Sequence, residues 1–206
     1  MNEQEFLTID TGGGSSGIKK AKKYEPYKLV SEDENILNKK TELFNFGDRV
    51  DAVEISEKLI ETIKLHRAYG LAAPQCGLNE RVFVMGAEDD YLIVFNPEIV
   101  SSSDESIHMD EGCLSFPFLV LAITRPREIE VKYQDQFGGY ITKTFSGISA
   151  RIFQHELDHL NGITFNKVAK PLALKMSIKK REKQIKRFAR ELLMQTTVKN
   201  ENTNKY

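Results

Sequence analysis

Between Glu128 and Tyr133 apolar and charged positions alternate, with Ile129, Val131 and Tyr133 on one side and Glu128, Glu130 and Lys132 on the other. A period of two predicts a strand with one face buried and one in water. Phe137-Gly138-Gly139 predicts a hairpin turn into a second strand, Tyr140 to Phe145. Arg81 to Met85 and Tyr91 to Phe95 are further β-rich runs, split by Gly86-Ala87-Glu88-Asp89-Asp90, and Asn96-Pro97 is expected to end the second. The period lengthens elsewhere. From Val50 to Ala68, Ala52, Val53, Leu59, Ile60 and Ile63 recur at three- and four-residue steps, predicting a helix capped by Asp48 or Asp51 and stopped by Gly70. Gly147 to Asn161 predicts a second helix, with Ile148, Ile152, His155 and His159 on one face and Gly162 at its C-terminal end. Pro171 opens a third, long and basic, from Leu172 to roughly Gln195. Strands clustered between two helices predict an α+β fold with antiparallel sheets rather than a doubly wound parallel sheet. No internal repeat interrupts this order.

Composition narrows the class. With 206 residues, 40% hydrophobic and 29% charged, the chain can bury the core of one ordinary domain. No apolar run approaches the ~18 residues of a membrane span. Met1 to Asp10 is acidic and lacks both the apolar stretch of a secretory signal and the arginines of a transit peptide, so a cytoplasmic location is expected. Two cysteines, Cys76 and Cys113, make no disulfide framework and fit a reducing compartment. The net charge of −1 conceals a split: residues 167–206 carry 12 Lys/Arg against 3 Glu, leaving an acidic body of about −10. The chain therefore reads as a Gly/Ser-containing flexible leader (1–23), a body (24–170) and a basic helical tail (171–206). The glycines of Thr11-Gly12-Gly13-Gly14-Ser15-Ser16-Gly17 have no Lys-Ser/Thr after them, which argues for a linker rather than a phosphate-binding loop.

The chemistry concentrates in His155-Glu156-Leu157-Asp158-His159. Residues four apart on a helix have Cβ atoms about 5–6 Å apart. Two imidazoles at that spacing can share one ion with bonds of about 2 Å, and the intervening Glu156 can reach a water on it. A third ligand must come from elsewhere. Cys113, in Glu111-Gly112-Cys113-Leu114-Ser115, is the best available, and Gly112 lets backbone fold closely around an ion. Cys76 competes, and a small buried hydrophobe is the plainer role for either thiol. Gly70-Leu71-Ala72-Ala73-Pro74-Gln75 reads as a loop whose small residues let backbone run close to a ligand. Gln75 is its only amide donor, although a solvated glutamine is the plainer reading.

Taken together and in order, Gly70-Leu71-Ala72-Ala73-Pro74-Gln75, Glu111-Gly112-Cys113-Leu114-Ser115 and Gln154-His155-Glu156-Leu157-Asp158-His159 resemble the three motifs of the peptide deformylases, over residues 24–170. The resemblance implies a small α+β domain built around the motif helix. It implies hydrolysis of the N-formyl group from the formylmethionine of new polypeptides, with release of formate. By position, Cys113, His155 and His159 would hold a divalent metal, usually Fe²⁺, with Zn²⁺, Ni²⁺ or Co²⁺ also able to occupy the site. Glu156 would act as general base and then acid. Gln75 and the Leu114 amide would stabilise the oxyanion. Backbone at Gly70 and Gly112 would align the peptide, and Tyr69, Met109, Ile148, Arg151 and Ile152 fall where the methionine pocket lies. Asp158 would support a ligand from behind. Nascent formylated polypeptides are the implied partners; no membrane or DNA is expected, and the basic helix is a candidate ribosome contact.

The chain departs from the family at Ala68, commonly glycine, and at Phe118-Leu119-Val120-Leu121, where many members carry an arginine; Arg125 is the first arginine after Cys113. Two rivals remain. A zinc endopeptidase would need a third ligand where Phe165 stands, or Glu182 further on. A nucleic-acid-binding protein with a closed structural metal would need His66 or His108 as fourth ligand.

Overall fold

The computed structural model describes residues 23–47 and 51–203; residues 1–22 of the expected leader, Val50 and the candidate cap Asp48 lie outside them. Asp51 caps α1 (Ala52–His66), accepting from the Val53 and Glu54 amides at 2.8 and 3.2 Å. Such a cap contributes about 1 kcal/mol. Ile55, Leu59, Ile60 and Ile63 form its buried stripe. The helix ends earlier than Gly70: Arg67, at φ 52°, is its left-handed C-cap and bonds back to Ile63 and Lys64. Gly70 is thereby released to begin a strand.

Seven strands are seen among the described residues: β1 (Gly70–Ala72), β2 (Val82–Ala87), β3 (Asp90–Ser102), β4 (Ser106–Gly112), β5 (Val120–Pro126), β6 (Glu128–Gln134) and β7 (Tyr140–Ser146). They form an antiparallel five-stranded sheet of order β1-β2-β3-β6-β7 and a separate β4–β5 ribbon. With α2 (Gly147–Leu160), the four-residue α3 (Phe165–Val168) and α4 (Pro171–Thr203), the architecture is α+β as expected. The alternating segments are strands with nearly the expected bounds. Two further expectations are corrected. Gly70 to Cys76 is not a loop but β1 followed by a single helical turn, Ala73–Cys76. Asn96-Pro97 does not end β3. The pair sits in a bulge, where Asn96, at φ 48°, exchanges hydrogen bonds with both backbone groups of Phe44 and donates to Gln134. Those bonds replace the ladder contacts that a proline forfeits. β4 and β5 add two strands where the sequence displays no clean alternation of apolar and polar residues.

Both faces of the main sheet are covered, which is why β2 reads as an unbroken apolar run. Val82 and Val84 face α1, together with Leu71, Phe95, Leu59 and Ile63. Phe83 and Met85 face α2, together with Val131, Phe145, Phe153, Leu157 and Leu160. A third cluster, Phe116, Leu119, Leu121, Ile123 and Phe165, joins the ribbon to the chain after α2. α2 is therefore the central element. Its last carbonyl, on Leu160, accepts from the Thr41 amide and hydroxyl at 2.9 and 3.0 Å and from buried Arg81 at 3.3 Å. These bonds hold the motif helix at its C-terminal end.

Candidate metal centre and active site

His155 and His159 project from consecutive turns of α2 with ring centroids 5.1 Å apart. Both are buried. Cys113 follows the last residue of β4 and meets them from the ribbon: its Sγ lies 3.2 Å from His159 Nε2. The three ligand atoms lie within 4.8 Å of one another, and this is the one such group of three among the described residues. A sulfur and two imidazole nitrogens around one point suit a first-row divalent cation.

The two imidazoles sit in different electrostatic surroundings. His155 Nδ1 is bonded to Glu111 Oε2 at 3.0 Å, leaving Nε2 for the centre. Burial opposes its protonation, but contacts with Cys113 and Glu111 outweigh burial and raise its pKa. His159 goes the other way: burial, then the charges of His155 and Arg125, push it well below the ordinary histidine value. A neutral imidazole is the form that binds a cation.

Glu111 anchors the arrangement. Its carboxylate also accepts from Arg125 at 2.7 and 3.0 Å and from Arg151. Burial alone would raise its pKa, yet the His155 and Arg125 contacts bring it down to about 2. Arg125 reaches on to Asp158 at 2.8 Å. The network clamps both the strand before Cys113 and the helix bearing the histidines, and such outer partners orient metal ligands. Sequence motifs alone assign Glu111 no role and mark Arg125 only as the first arginine after Cys113. No local signal marks their partnership, because the pairs lie 14 and 33 residues apart.

Glu156 is 4% exposed, and its Oε2 is buried without a hydrogen-bond partner. Burial, opposed by His155 and Arg125, raises its carboxyl to about 7. Gly70 makes room for it: a Cβ there would run into the Glu156 carboxylate. Gln75 is 2% exposed, which removes the solvated reading. Its Oε1 accepts from the Ala72 amide at 2.8 Å, so its Nε2 faces the centre, 3.5 Å from Cys113 Sγ and 3.2 Å from Ser115 Oγ. The one-turn helix thus aims a fixed donor at the centre.

A cavity of about 540 Å³ opens beside these groups. Every expected peptide-facing residue lines it: Tyr69, Gly70, Met109, Gly112, Ile148, Arg151 and Ile152, together with Gln75, Cys113, Leu114, His155 and Glu156. Arg151 nevertheless offers no free charge. Its guanidinium is spent on Glu111 and on the carbonyls of Ile107 and Ile123, so its contribution to the wall is apolar stem. Phe116, Phe118, Leu119 and Val120 also line the cavity. The rival positions supply no further ligand: Phe165 lies 5.8 Å from the His155 ring but has no donor atom. Phe165 is buried against Phe116, Glu182 is exposed on α4, and exposed His108 bonds Thr124 at 3.0 Å. His66 and Cys76 are outside the triad; burial raises the Cys76 thiol to about 12.

The polypeptide deformylase family model matches residues 26–175. A peptide deformylase of Synechocystis is 36% identical over 171 residues, covering 74% of this chain and 91% of the relative. Among solved structures, a peptide deformylase from Legionella pneumophila superposes with a TM-score of 0.72 at 31% identity, covering 80% of this chain and 98% of that one. One from Synechococcus elongatus, in complex with actinonin, superposes with a TM-score of 0.71 at 29% identity, covering 76% and 88%.

Proposed function

The chain belongs to the polypeptide deformylase family of metal-dependent hydrolases, which remove the formyl group from nascent peptides, and we propose that its own chemistry runs through Glu156 beside a metal held by Cys113, His155 and His159. The carrying observation is the convergence of that thiol and those imidazoles next to a buried carboxylate with an unpartnered oxygen. The donor set fits a divalent cation, and Fe²⁺ is the one we propose for the cell; Zn²⁺, Ni²⁺ and Co²⁺ satisfy the same ligands. Bound there, the cation would supply Lewis acidity, which makes water a competent nucleophile near neutral pH.

Glu156 takes the proton of the attacking water and returns it to the departing α-amine. A carboxyl raised to about 7 can do both, since each form is populated near neutrality. Gln75 Nε2 and the Leu114 amide donate to the oxyanion as the formyl carbon becomes tetrahedral, an effect typically of 10²–10³ in rate per donor. Backbone at Gly70 and Gly112 aligns the peptide, while Tyr69, Met109, Ile148, Ile152 and the Arg151 stem receive the methionine side chain. A formyl carbon bears only hydrogen, so Glu156 packed against Gly70 leaves a shallow space that excludes larger acyl groups. Residues 24–170 form the catalytic unit in this reading.

The direct test is formate release from a formyl-methionyl tripeptide by the Fe²⁺- and Zn²⁺-loaded protein under anaerobic conditions. Turnover with at least one metal is expected. No formate with either, or cleavage of casein instead, sinks the reading.

No described helix is long and apolar enough to cross a membrane. A cytoplasmic location is the setting we propose, where newly made chains emerge. Lys179, Lys180, Lys183, Lys186 and Arg190 are exposed on α4 and suit the phosphates of ribosomal RNA. Docking through this helix predicts co-sedimentation with ribosomes that falls steeply between about 50 and 200 mM salt. Salt-insensitive or absent co-sedimentation removes the idea.

A further inference from the structure

The segment between Cys113 and β5 is built from two successive turns. The Phe116 amide bonds the Cys113 carbonyl at 3.0 Å, and the Leu119 amide bonds the Phe116 carbonyl at 3.1 Å. The second turn is Phe116-Pro117-Phe118-Leu119. Its ends are fixed, because Phe116 and Leu119 are buried in the third core cluster. Its middle is unusual. Proline at the second position sets a negative φ, and Phe118 at the third has φ 64°. That combination is a type II turn, whose third position ordinarily takes glycine or asparagine. A phenylalanine there would favour the type I turn, which differs by a flip of the Pro117–Phe118 peptide. The flip reverses the Pro117 carbonyl and redirects the Phe118 side chain.

Something outside the turn therefore selects the flipped peptide, and α4 supplies it. Arg181 Nε donates to the Pro117 carbonyl at 2.8 Å. The same guanidinium grips Glu32 through its other two nitrogens, at 3.3 and 2.6 Å. A planar fork bound at its end to a carboxylate has its Nε direction fixed. One helical stretch further on, the Phe188 ring lies 5.5 Å from the Phe118 ring. Phe118 in turn lines the catalytic cavity. A chain of contacts thus runs from the C-terminal helix to the outer wall of the site.

The chemistry of that wall indicates what it meets. Phe118, Val120 and Ile148 are half exposed around the cavity, and the nearby Arg151 has no free charge. Asp110, exposed, also lines it. An apolar rim with one acid and no available cation favours an apolar substrate side chain and disfavours an acidic one.

Resting on the deformylase reading, we propose that Arg181 and Phe188 are positioning residues for substrate recognition: they hold Phe118 as the wall of an apolar subsite for the side chain following formylmethionine. α4 is in this way part of the enzyme's specificity as well as a basic surface.

The test compares formyl-Met-Phe-amide with formyl-Met-Glu-amide on the full-length, metal-loaded protein. The wild-type chain is expected to favour the phenylalanyl peptide by about tenfold or more in kcat/KM. Arg181→Met and Phe188→Ala are each expected to shrink that preference several-fold, carried by KM rather than kcat. Arg181→Lys, which keeps the charge without the fork, should resemble Arg181→Met. Phe118→Gly removes both the ring and the need for a selected peptide; adding Arg181→Met to it should cost nothing further. An unchanged preference in Arg181→Met and Phe188→Ala overturns the proposal. So does an Arg181→Met loss that is as large in the Phe118→Gly background, since the arginine would then act elsewhere. Thermal unfolding midpoints identify any variant that is merely unfolded, and the Arg181 and Phe188 arms are read independently. Formate released with unchanged preference defeats this inference alone, whereas no formate from either peptide in the wild-type chain defeats the deformylase reading beneath it.

Discussion

Glu156→Ala is expected to cut formate release by about 10³ or more while leaving metal content and fold intact. The magnitude follows from what the carboxylate is asked to do. It moves the water proton in the first half of the reaction and returns it to the amine in the second, and each general acid–base role contributes 10²–10⁴. No neighbour can take over. Asp158 is bonded to Arg125, and Glu111 is committed to two arginines and His155. The fold should tolerate the change, because Glu156 Oε2 has no hydrogen-bond partner to lose and burial already disfavours its charged form. Metal analysis and a thermal melt alongside the kinetics check all three statements. Near-normal turnover in Glu156→Ala would remove the mechanism.

The second large effect is expected at Cys113. Cys113→Ser replaces the one soft ligand with a hydroxyl that is neither ionised nor polarisable at neutral pH. Lewis-acid assistance is worth several kcal/mol of barrier, so activity should fall by about 10³ or more, together with metal retained after dialysis. Cys76→Ser is the control. Cys76 lies outside the triad and packs against the α1-side core, so its loss should alter stability and not metal content. Equal metal loss in the two variants, measured by atomic emission, would sink the assignment of Cys113 as ligand.

Much of this site was legible along the chain because its parts are local. The four-residue separation of His155 and His159 fixes their relative position on any α-helix, and Gly147 to Leu160 carries the helical period to place it. The β6–β7 hairpin was legible for a similar reason: alternation and turn residues act within a few positions. Asn96-Pro97 misled because its breaker signal is real, but the Asn96 amide is met by the backbone of Phe44, 52 residues away. β5 is buried at every second position, but the sequence hides it because apolar Val120 is exposed beside the cavity and charged Arg125 is buried, where it pairs with Glu111. Arg151 lines the cavity, but Glu111 and the carbonyls of Ile107 and Ile123 engage its charge, which no local pattern announces.

By itself, the sequence determined the donor types, the paired imidazoles with Glu156 between them, and the α+β layering, because these depend on short-range periodicity and on the chemistry of single side chains. The tertiary structure alone decided that Cys113 rather than Cys76 lies with the two imidazoles, that Gln75 turns its amide nitrogen toward them, that Glu111 and Arg125 pair beside them, and that Arg181 reaches the Pro117 carbonyl next to Phe118. Apart from the Gln75 amide, which the Ala72 amide holds from three residues away, each of these contacts joins residues 14 to 64 positions apart. A side chain's direction is set by the neighbours that packing brings to it, and no local pattern along the chain encodes them.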